Sequence, residues 1–347
     1  MDTKKILIVN PSFLVNGGAE RVISQFGNWC TENYIKTTIL TTKINEDFIK
    51  DLTETRLIPC KDLNEMAAVL SEIHTDFDAI FFHNHPAQLL SRFSRGFNIW
   101  LCNEPQSYLD TGKVPDEEKR IVNEFIDKVI VADDVNAERF EKLYGIKPEV
   151  IPYGIDYDFF SEKVESNFKK ENDIEDEVVI TQVGFVADTK DSKKTYEIFK
   201  ELNKRKKAKL VYVGYDKLPY AQELKDKIAQ EGHMGDVIFT GLINREKLRE
   251  VYAATDVVVM PNKGQGSWLT VFEAMSAGKP VVVSEQMCCR DIAKTITADK
   301  VEDYVNAIIN AIIEESKPDT KFIQKMTWSN FSKEVLGVMN DNKQNTD

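Results

Sequence analysis

The chain is poor in cysteine, histidine, positive charge and long apolar runs, and each shortage excludes something. Of 347 residues only five are cysteine and four histidine. Cys30, Cys60, Cys102, Cys288 and Cys289 fall at spacings that no zinc pattern uses, and the adjacent pair is poorly placed to form a disulfide. Reduced thiols in a cytoplasmic protein are expected, with no bound metal. Lys and Arg number 45 against 57 Asp and Glu, a net charge of −12. Non-specific binding of nucleic acid needs a surplus of cations to displace counterions, so no nucleic-acid partner is expected. The first apolar run, Ile6 to Val9, follows Lys4-Lys5 and is stopped by Asn10-Pro11. That is too short for a secretory signal and far too short to cross a bilayer. A soluble protein is expected, with peripheral membrane contact left open by the basic stretch Lys204-Arg205-Lys206-Lys207. No repeat of solenoid period is present.

What is present is a regular alternation. Hydrophobic residues make up 42% of the chain, as in a globular protein, and the length calls for two domains. Short β-branched runs read as buried strands at 5–9, 37–42, 79–82, 99–102, 129–132 and 149–152, then at 178–183, 210–213, 237–240, 257–260 and 281–284. Helical patterns lie between them. Strand, loop and helix repeated at this spacing predict an α/β protein with parallel sheets covered on both faces. The charge-rich stretch 156–177 lacks periodicity and reads as a linker between domains at 1–155 and 178–327. A last helix is expected from Trp328.

The chain is organised around Asn262 to Glu285. After the strand VVVM, Gly264 and Gly266 open a loop; Thr270-Val271-Phe272-Glu273 fits a capping box, and Gly278 and Pro280 end a short helix before VVVS. Loop amides at a helix N-terminus suit a phosphate. Gly17-Gly18, between the first strand and its helix, reads as a tight turn or as a second close approach to a ligand. His83, His85 and Glu104 fall at the carboxyl ends of strands, where ligands of such sheets bind. Each also has a plain reading as a surface or capping residue. Lys190 stands in the loop after the strand 178–183, and Lys193 and Lys194 follow at helical spacing.

Glu273-Ala274-Met275, Gly278 and Pro280-Val281-Val282 resemble the E-A-M-A-x-G-x-P-V-V signature of the family-4 retaining glycosyltransferases. GGAER at 17–21 and IPYGIDYDFF at 151–160 resemble further motifs of that family, so the likeness covers both ends of the chain. It implies a GT-B fold: two doubly wound, Rossmann-like domains facing across a cleft, the C-terminal helix crossing back to the first. It further implies retaining, metal-independent transfer of a hexose-type sugar from a UDP- or GDP-sugar to a glycan, glycolipid or glycoprotein. In that mechanism, front-face attack is assisted by a donor phosphate. No cofactor is expected, the nucleotide-sugar being the substrate. The resemblance makes Glu273 the ribose ligand and Lys190 a cation on the diphosphate. It sets Gly264, Gly266, Ser267, Trp268, Leu269 and Thr270 around the donor, Gly17 and Gly18 beneath it, and His83 or His85 beside the reacting sugar.

Two positions depart from the family pattern. Gln265 stands where the family has a donor-contacting Glu, and Phe185 where it has an Arg beside the diphosphate. An amide can still read a hydroxyl, with less strength than a carboxylate, and Lys193 or Lys194 is expected to replace the missing cation. The departures leave three outcomes open: an unusual donor, slower transfer, or a non-catalytic module that binds nucleotide-sugar or glycan; a nucleotide-sugar epimerase, which shares the fold, is a separate alternative.

Overall fold

The computed structural model describes residues 4–12, 17–44, 52, 54–103, 113–263, 268–287, 289 and 296–340. The chain divides into two compact units. One comprises Met1–Gly154 with Met326–Asp347, the other Ile155–Lys325.

The first unit carries an all-parallel sheet of seven strands: β1 (Lys5–Val9), β2 (Lys36–Thr41), β3 (Arg56–Pro59), β4 (Ala79–His83), β5 (Asn98–Leu101), β6 (Lys128–Val131) and β7 (Glu149–Val150). Their order is β3-β2-β1-β4-β5-β6-β7. Strands β1, β4 and β5 are apolar because helices cover both faces of the sheet, and residues such as Ile8, Phe82 and Trp100 are fully buried. Trp100 packs edge-on against Phe140 and Tyr144. The helix Trp328–Asn340 belongs to this unit, as its return to the first domain requires. Phe331 lies 6.5 Å from the Phe26 ring of the helix Gly18–Glu32 and 5.9 Å from Tyr153. At Gly154 the chain runs so close to this helix that a Cβ would fall 2.4 Å from the backbone nitrogen of Trp328.

The second unit repeats the plan with six parallel strands: β8 (Val178–Val183), β9 (Ala208–Val213), β10 (Val237–Phe239), β11 (Val257–Met260), β12 (Val281–Ser284) and β13 (Ile296–Ala298), in the order β10-β9-β8-β11-β12-β13. The Val-rich cores of β8, β11 and β12 are wholly buried.

The segment 156–177 is not a solvated tether. It forms two short helices, Tyr157–Ser161 and Phe168–Glu171, and buries Phe160, Phe168 and Ile174. Its charges pair with the helix Arg245–Ala254: Lys247 with Glu171 at 2.7 Å and Arg249 with Glu162 at 2.8 Å. The basic stretch after Asn203 is similarly occupied. Lys204 pairs with Glu201, Arg205 with Glu302, Lys207 with Glu177 and Lys209 with Asp236, so acid partners offset most of the charge that suggested a membrane surface. Among the described residues no helix is long and apolar enough to cross a membrane, and no cluster of three or more His, Cys, Asp or Glu is placed to hold a metal. Cys30, Cys60, Cys102 and Cys289 are buried thiols, and burial pushes the pKa of Cys30 up to about 12.

Candidate functional site

In each sheet the chain reverses its direction of progress between two neighbouring strands. The reversal falls between β1 and β4 in the first unit and between β8 and β11 in the second. At such a switch point the loops leaving the two carboxyl ends diverge and open a crevice for a ligand. Several sequence candidates follow these strand ends: Gly17 and Gly18 after β1, His83 and His85 at β4, and Lys190 after β8.

In the second unit, β8 ends at Gly184, whose φ of +132° suits glycine. The side chain of Lys190 lies over this glycine, its Cε 3.6 Å from where a Cβ would stand. Lys190 closes a short 3-10 turn, Asp188–Lys190, and Gln182 Nε2 donates to its carbonyl at 2.7 Å. Asp191 follows in the left-handed region at φ 47° and breaks the turn from the helix Ser192–Asn203. Lys190 therefore shares no helical face with Lys193 and Lys194. Lys193 donates to Glu223 at 2.9 Å and sits over the Tyr220 ring, while Lys194 donates to the carbonyl of Asp299 and sits over Tyr304. Phe185 itself is 36% exposed, its ring 5.7 Å from Tyr215.

A cation that the sequence reading missed is Lys263, immediately before the glycine loop after β11. Its amide donates to the carbonyl of Thr189 at 3.2 Å and its ammonium to Asp188 at 2.7 Å, tying the two switch-point loops together. Its position between a strand end and Gly264 was the available signal. Burial raises the pKa of Asp191 in the same cluster, with Lys263 and Lys194 opposing that rise.

Gly264, Gln265, Gly266 and Ser267 lie outside the described residues. The helix beyond them is Trp268–Ser276, three residues longer at its start than the capping box implied. Thr270 is inside this helix and cannot be its cap. The extension follows from packing, since Leu269, Phe272 and Met275 share one buried face. The far end is as expected, with Gly278 left-handed at φ 73° before Pro280. Glu273 is only 6% exposed. A carboxylate so deeply set is costly unless well bonded, which argues against a merely solvated acid.

In the first unit, Gly17 precedes the helix Gly18–Glu32 in extended backbone at φ −100°, so no left-handed turn explains it. Its small size makes room for Glu20, whose carboxylate accepts the Gly17 N–H at 3.2 Å and would stand 2.8 Å from a Cβ. Burial raises the pKa of Glu20. Glu104 lies outside the described residues.

The two histidines of the β4 end differ sharply. His83 is fully buried. Its Nδ1 faces Asn10 Oδ1 at 3.0 Å and its Nε2 faces Asn103 Nδ2 at 3.0 Å. Asn10 Nδ2 donates to the Ser12 carbonyl, which leaves Oδ1 as the acceptor for a His83 Nδ1–H. Asn103 also bonds Asn84 and receives the Tyr153 hydroxyl. Both ring nitrogens are thus committed inside the protein, and of the pair only the half-buried His85 can meet a ligand. Asn10, Asn103 and Tyr153 gave no sign of this network in sequence.

Burial lowers the pKa of His83 from 6.5 to about 3, and this predicts a pH dependence. Above pH 6.5 the ring is neutral in folded and unfolded chains and contributes no slope. As pH falls from 6.5 toward 3 only the unfolded chain takes up the proton, so stability declines, at up to about 1.4 kcal/mol per pH unit. Urea midpoints of His83→Gln should fall less steeply than wild type between about pH 6 and pH 4. Parallel slopes would show that the ring titrates normally.

Residues 163–327 match the family model for glycosyl transferases group 1. The chain is 27% identical over 215 residues to an uncharacterized glycosyltransferase, MJ1607, of Methanocaldococcus jannaschii, the alignment covering 57% of this chain and 54% of the relative. The chain thus spans about half the length of that relative. Among solved structures, Alr3699/HepE of Anabaena, in complex with UDP and glucose, superposes with a TM-score of 0.76 at 16% identity over 99% of both chains. A glycosyltransferase from Rickettsia africae gives 0.72 at 15% identity over 98% of this chain and 99% of that one. The fold is GT-B.

Proposed function

We propose that the chain is a glycosyltransferase that moves a hexose-type residue from a UDP- or GDP-sugar to a glycan, glycolipid or glycoprotein, with retention of configuration and without a bound metal. The observation that carries this reading is the switch point of the second unit. Lys190 over Gly184, Lys263 on the facing loop and the buried Glu273 on the next helix stand together within the segment that matches the family. The bond from the sugar C1 to the β-phosphate oxygen breaks, a bond from C1 to the acceptor oxygen forms, and the acceptor proton passes to the leaving phosphate. The developing charge is stabilised by fixed cations and amide dipoles rather than by an acid pair. Lys190 and Lys263 serve the diphosphate, Glu273 the ribose hydroxyls and Gln265 the donor sugar. The first unit serves the acceptor.

Purified protein should consume a UDP- or GDP-sugar when a glycan acceptor is supplied, equally well in EDTA. Nucleotide binding without consumption would favour the binding module, a reading to which Phe185 and Gln265 lend some weight. Interconversion of the donor without acceptor would favour an epimerase. Within the proposed site, Glu273→Ala should weaken nucleotide binding by about 1–3 kcal/mol, the range for a lost hydrogen bond to a charged group. Unchanged affinity in a folded variant would remove the ribose assignment.

A further inference from the structure

We propose that Gln88 and Glu118 form a positioning relay that holds His85 as a neutral ring with its proton on Nε2. Gln88 is fully buried in the short helix Ala87–Phe93 directly after β4. Its Nε2 lies 2.9 Å from His85 Nδ1 and 2.9 Å from Glu118 Oε1. An amide NH2 has two donors, and this geometry uses both. The Glu118 carboxylate decides which end of the amide is nitrogen, because the reverse orientation would set Gln88 Oε1 against a carboxylate oxygen. His85 Nδ1 must then accept, which leaves the ring proton on Nε2, the nitrogen on the far side of the ring from Gln88.

The relay is anchored at its inner end. Glu118 is only 5% exposed in the first turn of the helix Asp116–Phe125, where the helix dipole favours an anion. Tyr144 donates its hydroxyl to the same Oε1 at 2.7 Å. A buried carboxylate is weak support for stability, and apolar side chains of like volume commonly serve as well. Gln88 Oε1 is buried without a hydrogen-bond partner, a cost that the arrangement retains. What the group does accomplish is to fix one tautomer of a half-buried histidine at the carboxyl end of β4, beside the switch point of this sheet. His83, one step inside, is held with its proton on Nδ1, so the neighbouring rings carry opposite tautomers.

This inference rests on the glycosyltransferase reading for its purpose, which is to present the Nε2–H as a donor to a substrate oxygen at the carboxyl end of β4. Its geometry can be tested apart from that reading. In ¹⁵N spectra of the full chain labelled at histidine, the neutral His85 ring should show a protonated Nε2 and an unprotonated Nδ1. Glu118→Gln, a near-isosteric change that frees the amide to turn over, should move the signals toward an Nδ1-protonated ring. Gln88→Leu should lower kcat by about 10–100-fold, the size seen when a residue that orients a metal-bound histidine is removed, with nucleotide affinity unchanged. A wild-type ring protonated on Nδ1, or spectra unmoved in Glu118→Gln, would overturn the relay. A full kcat in folded Gln88→Leu would overturn its role in positioning. Should wild type turn over no nucleotide-sugar, the function fails while the spectra still decide the tautomer.

Discussion

Lys190→Ala should lower kcat for nucleotide-sugar turnover by about 10²–10³-fold, the loss typical of removing one preorganised group from a site of developing charge. The leaving nucleoside diphosphate gains negative charge as the glycosidic bond breaks. With Phe185 in the place of the second family cation, Lys190 is expected under the proposed function to carry more of that load than its counterparts do. It is well held: its carbonyl is bound by Gln182 and its side chain lies against Gly184. Lys263 is about half exposed and pairs with Asp188 at the surface. Lys190→Arg should recover much of the lost rate, and Lys263→Ala should cost less than Lys190→Ala. Steady-state kinetics with the donor varied would measure all three. A kcat within about threefold of wild type for Lys190→Ala would place the diphosphate elsewhere.

The sequence made the centre of each sheet and the edge strands β7 and β10 readable, but not the edge strands β3 and β13. Central parallel strands are buried on both faces and appear as unbroken apolar runs, as VVVM and VVVS do. β3 and β13 are edge strands, half exposed and only four and three residues long, so neither leaves such a run. The segment 156–177 misled in the same way, because its many charges concealed three buried apolar anchors. For the site, loop positions were legible because they follow strand ends, while side-chain partners were not. Glu118 reads in sequence as one acid in the exposed run Asp116-Glu117-Glu118, and only the packing of its helix against the Ala87–Phe93 segment removes it from water. His83 and His85 are two residues apart with the same apparent chemistry. His83 is the last residue of β4 and faces the core, whereas His85 lies beyond the strand, after Asn84 at φ +62°, where the alternation that would set both on one face no longer holds.

The largest loss of stability from a single methyl group is expected at Gly214→Ala. Gly214 ends β9 at φ +132°, where an L side chain is strained. An added Cβ would also fall 2.2 Å from the carbonyl oxygen of Gly184 and 2.7 Å from its carbon. Both obstacles are backbone, so no rotamer change relieves them, and the two strand ends must separate. They are joined there by Gly184 N–H to the Val213 carbonyl at 2.8 Å and Val186 N–H to the Tyr215 carbonyl at 2.9 Å. Strain and overpacking together should destabilise the second unit by about 3 kcal/mol or more. Gly235→Ala is the matched control: nothing lies within 4 Å of its Cβ position and its φ is not left-handed. Its effect should stay within about 0.5 kcal/mol. Because Gly184 carries the loop that ends in Lys190, the folded fraction of Gly214→Ala should also bind nucleotide diphosphate more weakly than it binds the bare nucleoside, relative to wild type. Urea unfolding and calorimetric titration would read both effects. Equal midpoints for the two alanine variants would mean that the β8 and β9 ends do not meet as closely as the structure places them.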